Sequence, residues 1–520
     1  MASSSSSLKE HDPDLEKDLE KQDVADTPPS TAQYPSTSPT NADAQFGDDD
    51  EKAKFLVKWD VNDPSNPMNF PLPRKCWITF QLGMLALASS SASAIISPAS
   101  QAITEHFGIS SEVNVLNVSL FILGFAVGPL IWAPISELFG RKWSILPAMY
   151  ALALFSIGTA TSNSPAALFV TRFFGGCFAS APVSNVSAAL GDMFAPKARG
   201  IAMSLYAVAV VGGPTVSPVI GAGIMINPSL GWRWTEYITA MWVFVVATVT
   251  MFGMPELYAP VLLKRKAQLL RKSTGDQRYW HPHEEHKLDF RSVVTKHFSR
   301  PLMMLTTEPM VTCIAFYASF VYALLYLTLE VFPIVFQEER GWDLFPSTLV
   351  FLGLFVGVLA ALGVNLGYQP RYAKIVDLNN GKSVPEGRLP PMIVGGFLFT
   401  IGLFWFGWTS APSIPWPSPV VATAFIGAGF NIIFQQCLNF LVDSYGLYAA
   451  SAVSANTFLR SVLAAGLPMA AKPMFHHLGV GPAMSILGGV ACLVLPVPFL
   501  FMRYGLRLRK MSKFAPVCKD

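Results

Sequence analysis

Apolar runs of roughly 18 or more residues recur from Cys76 to Arg503, and this repetition constrains the fold more than any other feature of the chain. Each is long enough to cross a hydrocarbon layer of about 30 Å. Lipid offers no hydrogen bonds to a peptide group, so such runs are expected as helices. Composition points the same way: 52% of the residues are hydrophobic and 14% charged, where a soluble protein carries about 25% charged residues. The net charge of +3 is small and spread over several loops, which gives no case for nucleic-acid binding.

Twelve candidate spans lie near 75–98, 113–134, 143–162, 165–190, 199–224, 235–255, 309–336, 345–367, 391–410, 418–441, 446–471 and 482–503. A polar segment rich in Lys and Arg, from about Glu256 to Arg300, separates the sixth from the seventh. Six spans, a basic linker and six more spans is the layout of two pseudo-repeated halves around a central pathway. The expected fold class is an all-α membrane protein of twelve transmembrane helices in two pseudo-symmetric six-helix halves. The divisions are a disordered tail 1–73, a first half 74–255, a linker 256–308, a second half 309–503 and a tail 504–520.

Lys and Arg gather before span 1, after spans 2, 4, 6 and 8, and after span 12, while the opposite loops hold Arg233, Arg340 and Lys472. By the positive-inside rule both termini and the linker are cytosolic. The first ~54 residues have no apolar signal-peptide core. They read as a solvating tail, with Thr27-Pro28 and Ser38-Pro39 as candidate phosphorylation sites. Cys177, Cys313, Cys437 and Cys492 fall inside spans, Cys76 at a span edge and Cys518 in the tail, so no structural disulfide is expected.

Several ionisable and polar residues fall where lipid or a packed core would exclude them. Ala133-Pro134-Ile135-Ser136-Glu137-Leu138-Phe139-Gly140-Arg141-Lys142 fills the short gap between spans 2 and 3, and Asp192 ends span 4 at the same level. Glu137, Arg141, Lys142 and Asp192 form either a charge clip that switches with a gate or a set of positive-inside anchors. Arg172 lies inside span 4, where an arginine costs at least ~2.5 kcal/mol and marks function by default. Residues 172, 176, 180 and 184 share a face, expected to line a cavity with Ser180 on it; a structural arginine holding backbone is the alternative. Glu330 in span 7 is a proton carrier, a partner of Arg460 in span 11, or an outer-gate residue. Tyr322, Tyr326 and Glu330 share a helical face, as do Asn431, Gln435 and Asn439 in span 10 and Ser89, Ser93 and Ser97 in span 1. The amides are expected to face the cavity rather than a neighbouring helix. Phe320 belongs to the aromatic supply suited to planar or greasy substrates. His281, His283 and His286 beside Glu284 and Glu285 read as a solvated loop, not a metal site. No Walker lysine, Gly-x-Ser-x-Gly elbow or His-Glu-x-x-His occurs, and no enzyme is expected.

Ser136 to Lys142 resembles the loop 2–3 motif of major facilitator superfamily transporters, with Ala133, Glu137 and Leu138 departing from its usual Gly, Asp and Arg. Gly128-Pro129 through Ala133-Pro134 is similar to fungal members of the twelve-span drug:proton antiporter branch. In span 5, Gly212-Gly213-Pro214-Thr215-Val216-Ser217-Pro218-Val219-Ile220-Gly221 resembles the antiporter motif, a helix kinked at Pro214 and Pro218 and packed tightly at Gly213 and Gly221. The string around Arg172 resembles the span 4 motif implicated in proton coupling. Gly231-Trp232-Arg233-Trp234, Pro255-Glu256, Glu308-Pro309, Asp443-Ser444-Tyr445-Gly446 and Asn456 to Arg460 extend the resemblance over about Trp59 to Arg509. It implies the major facilitator fold and a monomeric, proton-coupled exporter of small lipophilic drugs, toxins or fungal secondary metabolites. Arg172 would couple protons in it, and Glu330 and Arg460, read from their positions inside spans, are the further candidates for proton coupling. It needs no cofactor beyond the proton gradient; its partners are a small-molecule substrate, protons and the bilayer. The plasma membrane is the expected address, with the vacuolar membrane as alternative. A proton symporter for uptake and a polyamine exporter are the competing readings.

Overall fold

In the computed structural model, described over residues 54–284, 299–379, 383–512 and 514, helices carry most of the described residues. The phosphorylation candidates, Glu285, His286 and Cys518 lie outside the described residues. The spanning helices are α1 (Leu72–Ala94), α2 (Leu116–Phe139), α3 (Arg141–Ala160), α4 (Pro165–Met193), α5 (Pro196–Met225) and α6 (Arg233–Gly253) in the first half. The second half holds α7 (Pro309–Pro333), α8 (Val350–Leu378), α9 (Leu389–Thr409), α10 (Pro417–Tyr445), α11 (Ala449–Gly466) and α12 (Val480–Val494, prolonged by Pro496–Met511). Eleven of these are long and apolar enough to cross a membrane by composition alone. The twelfth, α11, is diluted by buried Asn456, Arg460 and Ser461. Even the short α3, 20 residues, reaches about 30 Å at 1.5 Å per residue.

Starts and stops follow local chemistry. Proline occupies the first turn of α1, α4, α5, α7, α9 and α10, where its missing N–H costs nothing. Gly140, at φ 98°, ends α2 and turns the chain directly into α3.

Helix pairing reveals the repeat. α1 packs on α5, α2 on α4, α3 on α4 and on α6; α7 packs on α11, α8 on α10, α9 on α10 and on α12. Adding six to each number of the first set gives the second. The halves meet through α2 against α11 and α5 against α8, again exchanged by the same operation. Small residues permit these approaches. A side chain on Gly176 of α4 would collide with the Phe121 carbonyl of α2, and one on Gly427 of α10 with the Leu354 carbonyl of α8.

The linker contains the amphipathic helix Ala259–Thr274. It fastens the segment preceding α1. Val57 N–H donates to the Trp280 carbonyl (3.0 Å), and Lys266 Nζ pairs with Asp60 (2.6 Å) and Asp63 (2.7 Å). The tail expected over 1–73 therefore ends earlier, because Leu56 to Phe70 is an arm bonded to the linker.

Candidate functional site

Arg172 of α4 is almost wholly buried (1% exposed), and every arm of its guanidinium is used. Nε donates to the Asn117 carbonyl of α2 (2.9 Å), and Nη1 and Nη2 donate to the Ala92 (2.8 Å) and Ser93 (2.9 Å) carbonyls of α1. Nη1 also pairs with Glu236 of α6 at 3.1 Å, and Phe121 stacks on the guanidinium. Four helices are thus joined by one side chain. The carbonyls of Ala92 and Ser93 are those of the last turn of α1, before the chain re-forms as the helix Ser100–Phe107. The face carrying residues 176 and 180 does not line a cavity: Gly176 lies on α2, and the Ser180 hydroxyl sits against Gly128 and donates to the Cys177 carbonyl.

The two halves meet at three successive levels. In the middle, the Ser93 hydroxyl of α1 bonds the Tyr326 hydroxyl of α7 (3.0 Å), which reaches the Tyr322 hydroxyl (3.4 Å). Next, the Gln435 Nε2 of α10 donates to Ser204 of α5 (2.5 Å), while its Oε1 accepts from Asn365 of α8 (2.6 Å). Last, near the loop between α2 and α3, Arg199 of α5 pairs with Asp443 of α10 at 2.8 Å. Of the span 10 amides only Gln435 lies across the interface in this way. Asn431 turns towards α8, donating to the Val358 carbonyl (3.3 Å), and Asn439 is buried with its Nδ2 unpartnered. In the span 5 motif, Gly213 lies against Ser90 of α1 and Gly221 against Ile95, which caps that helix, with Pro214 between them in the helix. Ser217 is buried without a hydroxyl partner.

The loop between α2 and α3 is built around a carboxylate that sequence reading placed elsewhere. Glu137 makes no ion pair or hydrogen bond to the described residues; the acid in the turn is Glu256. Its Oε1 accepts from the Arg141 N–H (2.7 Å) and its Oε2 from the Lys142 N–H (3.2 Å), capping the start of α3 where the helix dipole favours an anion. A side chain on Gly140 would run into this carboxylate, so the position needs glycine twice over. The Arg141 side chain pairs with Asp192 (2.8 Å) and donates to Ser136 (2.6 Å), and Lys142 reaches the Met251 carbonyl. His283 bonds the Leu138 carbonyl, which ties the linker to the same loop. The second half repeats the pair: Arg388 at the start of α9 binds Asp443 at the end of α10 (3.0 Å), with Tyr372 donating to the same oxygen (2.9 Å). Asp443 alone of the two acids also holds a cation from the other half.

At the opposite end the halves part around a cavity of about 650 Å³. Glu330 lines it with Glu105, Glu338, Gln337, Lys472 and Pro218 of the span 5 motif. Glu330 has no ion pair or hydrogen bond to the described residues, and neither has Arg460. The two do not pair: Arg460 lies over the rings of Tyr322 (4.4 Å) and Phe434 (4.9 Å) and does not line the Glu330 cavity. Phe320 is half-buried against the core, while Phe174 and Phe316 lie on the exposed surface of the bundle.

Sequence reasoning missed Glu236, Arg199, Arg388 and the role of Glu256. Glu236 could have been found, since an acid four residues after Trp232 falls inside a predicted span and demands a cationic partner. Arg199 looked like any positive-inside cation.

Residues 82–468 match the family model described as Major Facilitator Superfamily. The citrinin biosynthesis cluster MFS transporter mrr1 of Monascus ruber is 41% identical, over 89% of this chain and 93% of that protein. The multidrug transporter FLU1 of Candida albicans is 39% identical, over 89% and 76%, and the efflux pump bik6 of Gibberella fujikuroi 39%, over 92% and 98%. Among solved structures, the proton:xylose symporter XylE, from E. coli, superposes with a TM-score of 0.61 at 16% identity, covering 83% of this chain and 97% of its own. That likeness concerns the fold. With the repeat of helix pairing and relatives this similar over nearly their whole length, the chain belongs to the major facilitator superfamily and is a multi-pass membrane transporter, not an enzyme.

Proposed function

We propose that this chain is a proton-coupled exporter of small lipophilic molecules, acting as a monomer in the plasma membrane with both termini cytosolic. The observation that carries the reading is the asymmetry of the interface. The halves are bonded together at the end bearing the basic loops and separated by a cavity at the other, which is one of the two states alternating access requires. In that state the Arg199–Asp443 pair closes the cytosolic side, and the cavity opens outward.

Glu330 is the proton carrier in this reading. It stands in the cavity wall with Lys472, and it makes no ion pair with any cation among the described residues. Protonation removes a charge that opposes closing the low-dielectric gap between the halves; closure of the outer side then requires Arg199 and Asp443 to separate. Relatives named as multidrug and efflux pumps, at about 40% identity, support export over uptake. The energy source is the proton gradient, with no cofactor.

The test is efflux of a lipophilic dye from cells expressing the wild type or Glu330→Gln, with and without a protonophore. Gradient-dependent efflux by the wild type, and a variant that behaves as the wild type does without a gradient, are expected. A variant that still responds fully to the gradient overturns the role of Glu330. Dye accumulation instead of loss favours uptake.

A further inference from the structure

The buried arginine of α11 is contacted by ring faces and by no hydrogen-bond acceptor among the described residues. Arg460 is 2% exposed, yet its guanidinium makes no hydrogen bond and has no carboxylate within ion-pair distance among the described residues. Its Nε is fully buried and unpartnered. One turn earlier on the same face of α11, Asn456 is wholly buried with both side-chain atoms unpartnered. The surroundings are flat and aromatic. Tyr322, Phe430 and Phe434 stack with centroids about 6 Å apart, the two phenylalanines within 7° of parallel. The Tyr322 and Tyr326 hydroxyls stand at the junction of the halves, where Tyr326 meets Ser93 of α1.

We propose that Arg460 is the recognition site for an anionic group on the transported molecule, and that the preferred substrates are planar aromatic acids: carboxylates or acidic phenols. The inference rests on the transport reading above and names the substrate class of that pathway. When the halves separate on the Arg460 side, the anion of the substrate takes the charge-assisted hydrogen bonds that the protein leaves empty. The ring system stacks on Phe430 and Phe434. A buried fixed cation repels amines, so polyamines are excluded by the same geometry.

Three dyes of similar size separate the alternatives: fluorescein, anionic at neutral pH, Nile red, neutral, and rhodamine 6G, cationic. Binding to the purified protein in detergent is read by fluorescence anisotropy, and movement in proteoliposomes under a pH gradient. Fluorescein is expected to bind most tightly. Arg460→Gln is expected to weaken it about tenfold or more, the scale of losing a charge-assisted contact, while changing Nile red less than about threefold. Arg460→Lys keeps the charge and is expected to restore part of the loss. In the wild type alone, fluorescein is expected to raise the melting midpoint and rhodamine 6G to leave it unchanged. Equal weakening of all three dyes by Arg460→Gln overturns the proposal, as does fluorescein binding that ignores the substitution. Nile red moved while fluorescein is neither bound nor moved sinks the anion site and leaves export standing. Arg460-dependent fluorescein binding with no dye moved supports the site and counts against export.

Discussion

In each half one arginine lies almost wholly buried well inside a helix, Arg172 in α4 and Arg460 in α11, and the two are treated in opposite ways. Arg172 is well partnered: three carbonyls and one carboxylate take four of its five N–H donors, and a ring lies over the guanidinium face. Arg460 has ring faces and nothing else. The same side chain therefore serves as a structural rivet in the first half and as an open valence in the second. Burial alone does not distinguish them, since both are within 2% of full burial; the partner inventory does.

Substituting the two arginines is the sharpest way to break this contrast. Arg172→Gln strands Glu236 in a dry core and frees three carbonyls, so a loss of about 3–5 kcal/mol is expected, read as a fall in melting midpoint in detergent. Arg172→Met with Glu236→Leu is expected to recover much of it, because an apolar pair needs no partner. Arg460→Met removes a buried charge that only ring faces contact among the described residues, and is expected to be neutral or stabilising. A destabilisation by Arg460→Met as large as that by Arg172→Gln would mean that Arg460 is a second rivet.

The paired acids Asp192 and Asp443 extend the comparison to the end of the bundle. Both hold the arginine at the start of their neighbouring helix, but Asp443 also holds Arg199 across the interface. Asp443→Asn should loosen that interface, while Asp192→Asn should loosen only the first half. The check is the labelling rate of Ser204→Cys, beside Gln435, in a background lacking the native cysteines. We expect Asp443→Asn to speed labelling about tenfold, for about 1.4 kcal/mol of closed-state bias. Asp192→Asn is expected to change it less than about twofold. Equal effects would show that the repeat is energetically symmetric and that Arg199 adds nothing.

How much of this was legible beforehand divides along the same line. The twelve spans followed from apolar length, and Arg172, Arg460, Glu330 and Asp443 were visible as charges or motif residues in or near lipid. Their partners were not. Glu236 lies 64 positions from Arg172 and Asp443 244 from Arg199, and no helical periodicity connects residues on separate helices. The loop motif suggested Glu137 because it is adjacent to Arg141; the fold instead brought Glu256 from 115 positions away, since Gly140 leaves room there for a carboxylate. Amides at i, i+4 and i+8 promised a cavity face, but α10 is covered by α8 and α9 on much of its circumference, and Asn431 met α8.

The smallest expected effect belongs to the exposed version of the same chemistry. Lys266 binds Asp60 and Asp63 outside the membrane and fastens the arm before α1 to the linker. The Lys266 hydrogen bond, helped by the Ser65 N–H, holds the Asp63 carboxyl below its ordinary 3.8. The bonds from Asp60 and Asp63 raise Lys266 above its ordinary 10.5 in spite of partial burial. A depressed acid stabilises fully above its ordinary value and loses that contribution as pH falls through its folded value. A raised base stabilises fully below its ordinary value and loses that contribution as pH rises through its folded value. Attachment of the arm is therefore expected to be flat across the neutral range, weakening only in strong acid or strong base. Lys266→Ala should cost no more than about 1 kcal/mol, and that cost should shrink as salt screens the pair. Hydrogen exchange at Val57, whose N–H is bonded to the Trp280 carbonyl, reads the attachment directly. Protection that changes between mildly acidic and mildly basic buffer would show that another titrating group, not the Lys266 pairs, holds the arm. Protection that ignores salt but collapses in Lys266→Ala would place this lysine with Arg172, as a partnered charge screened from solvent.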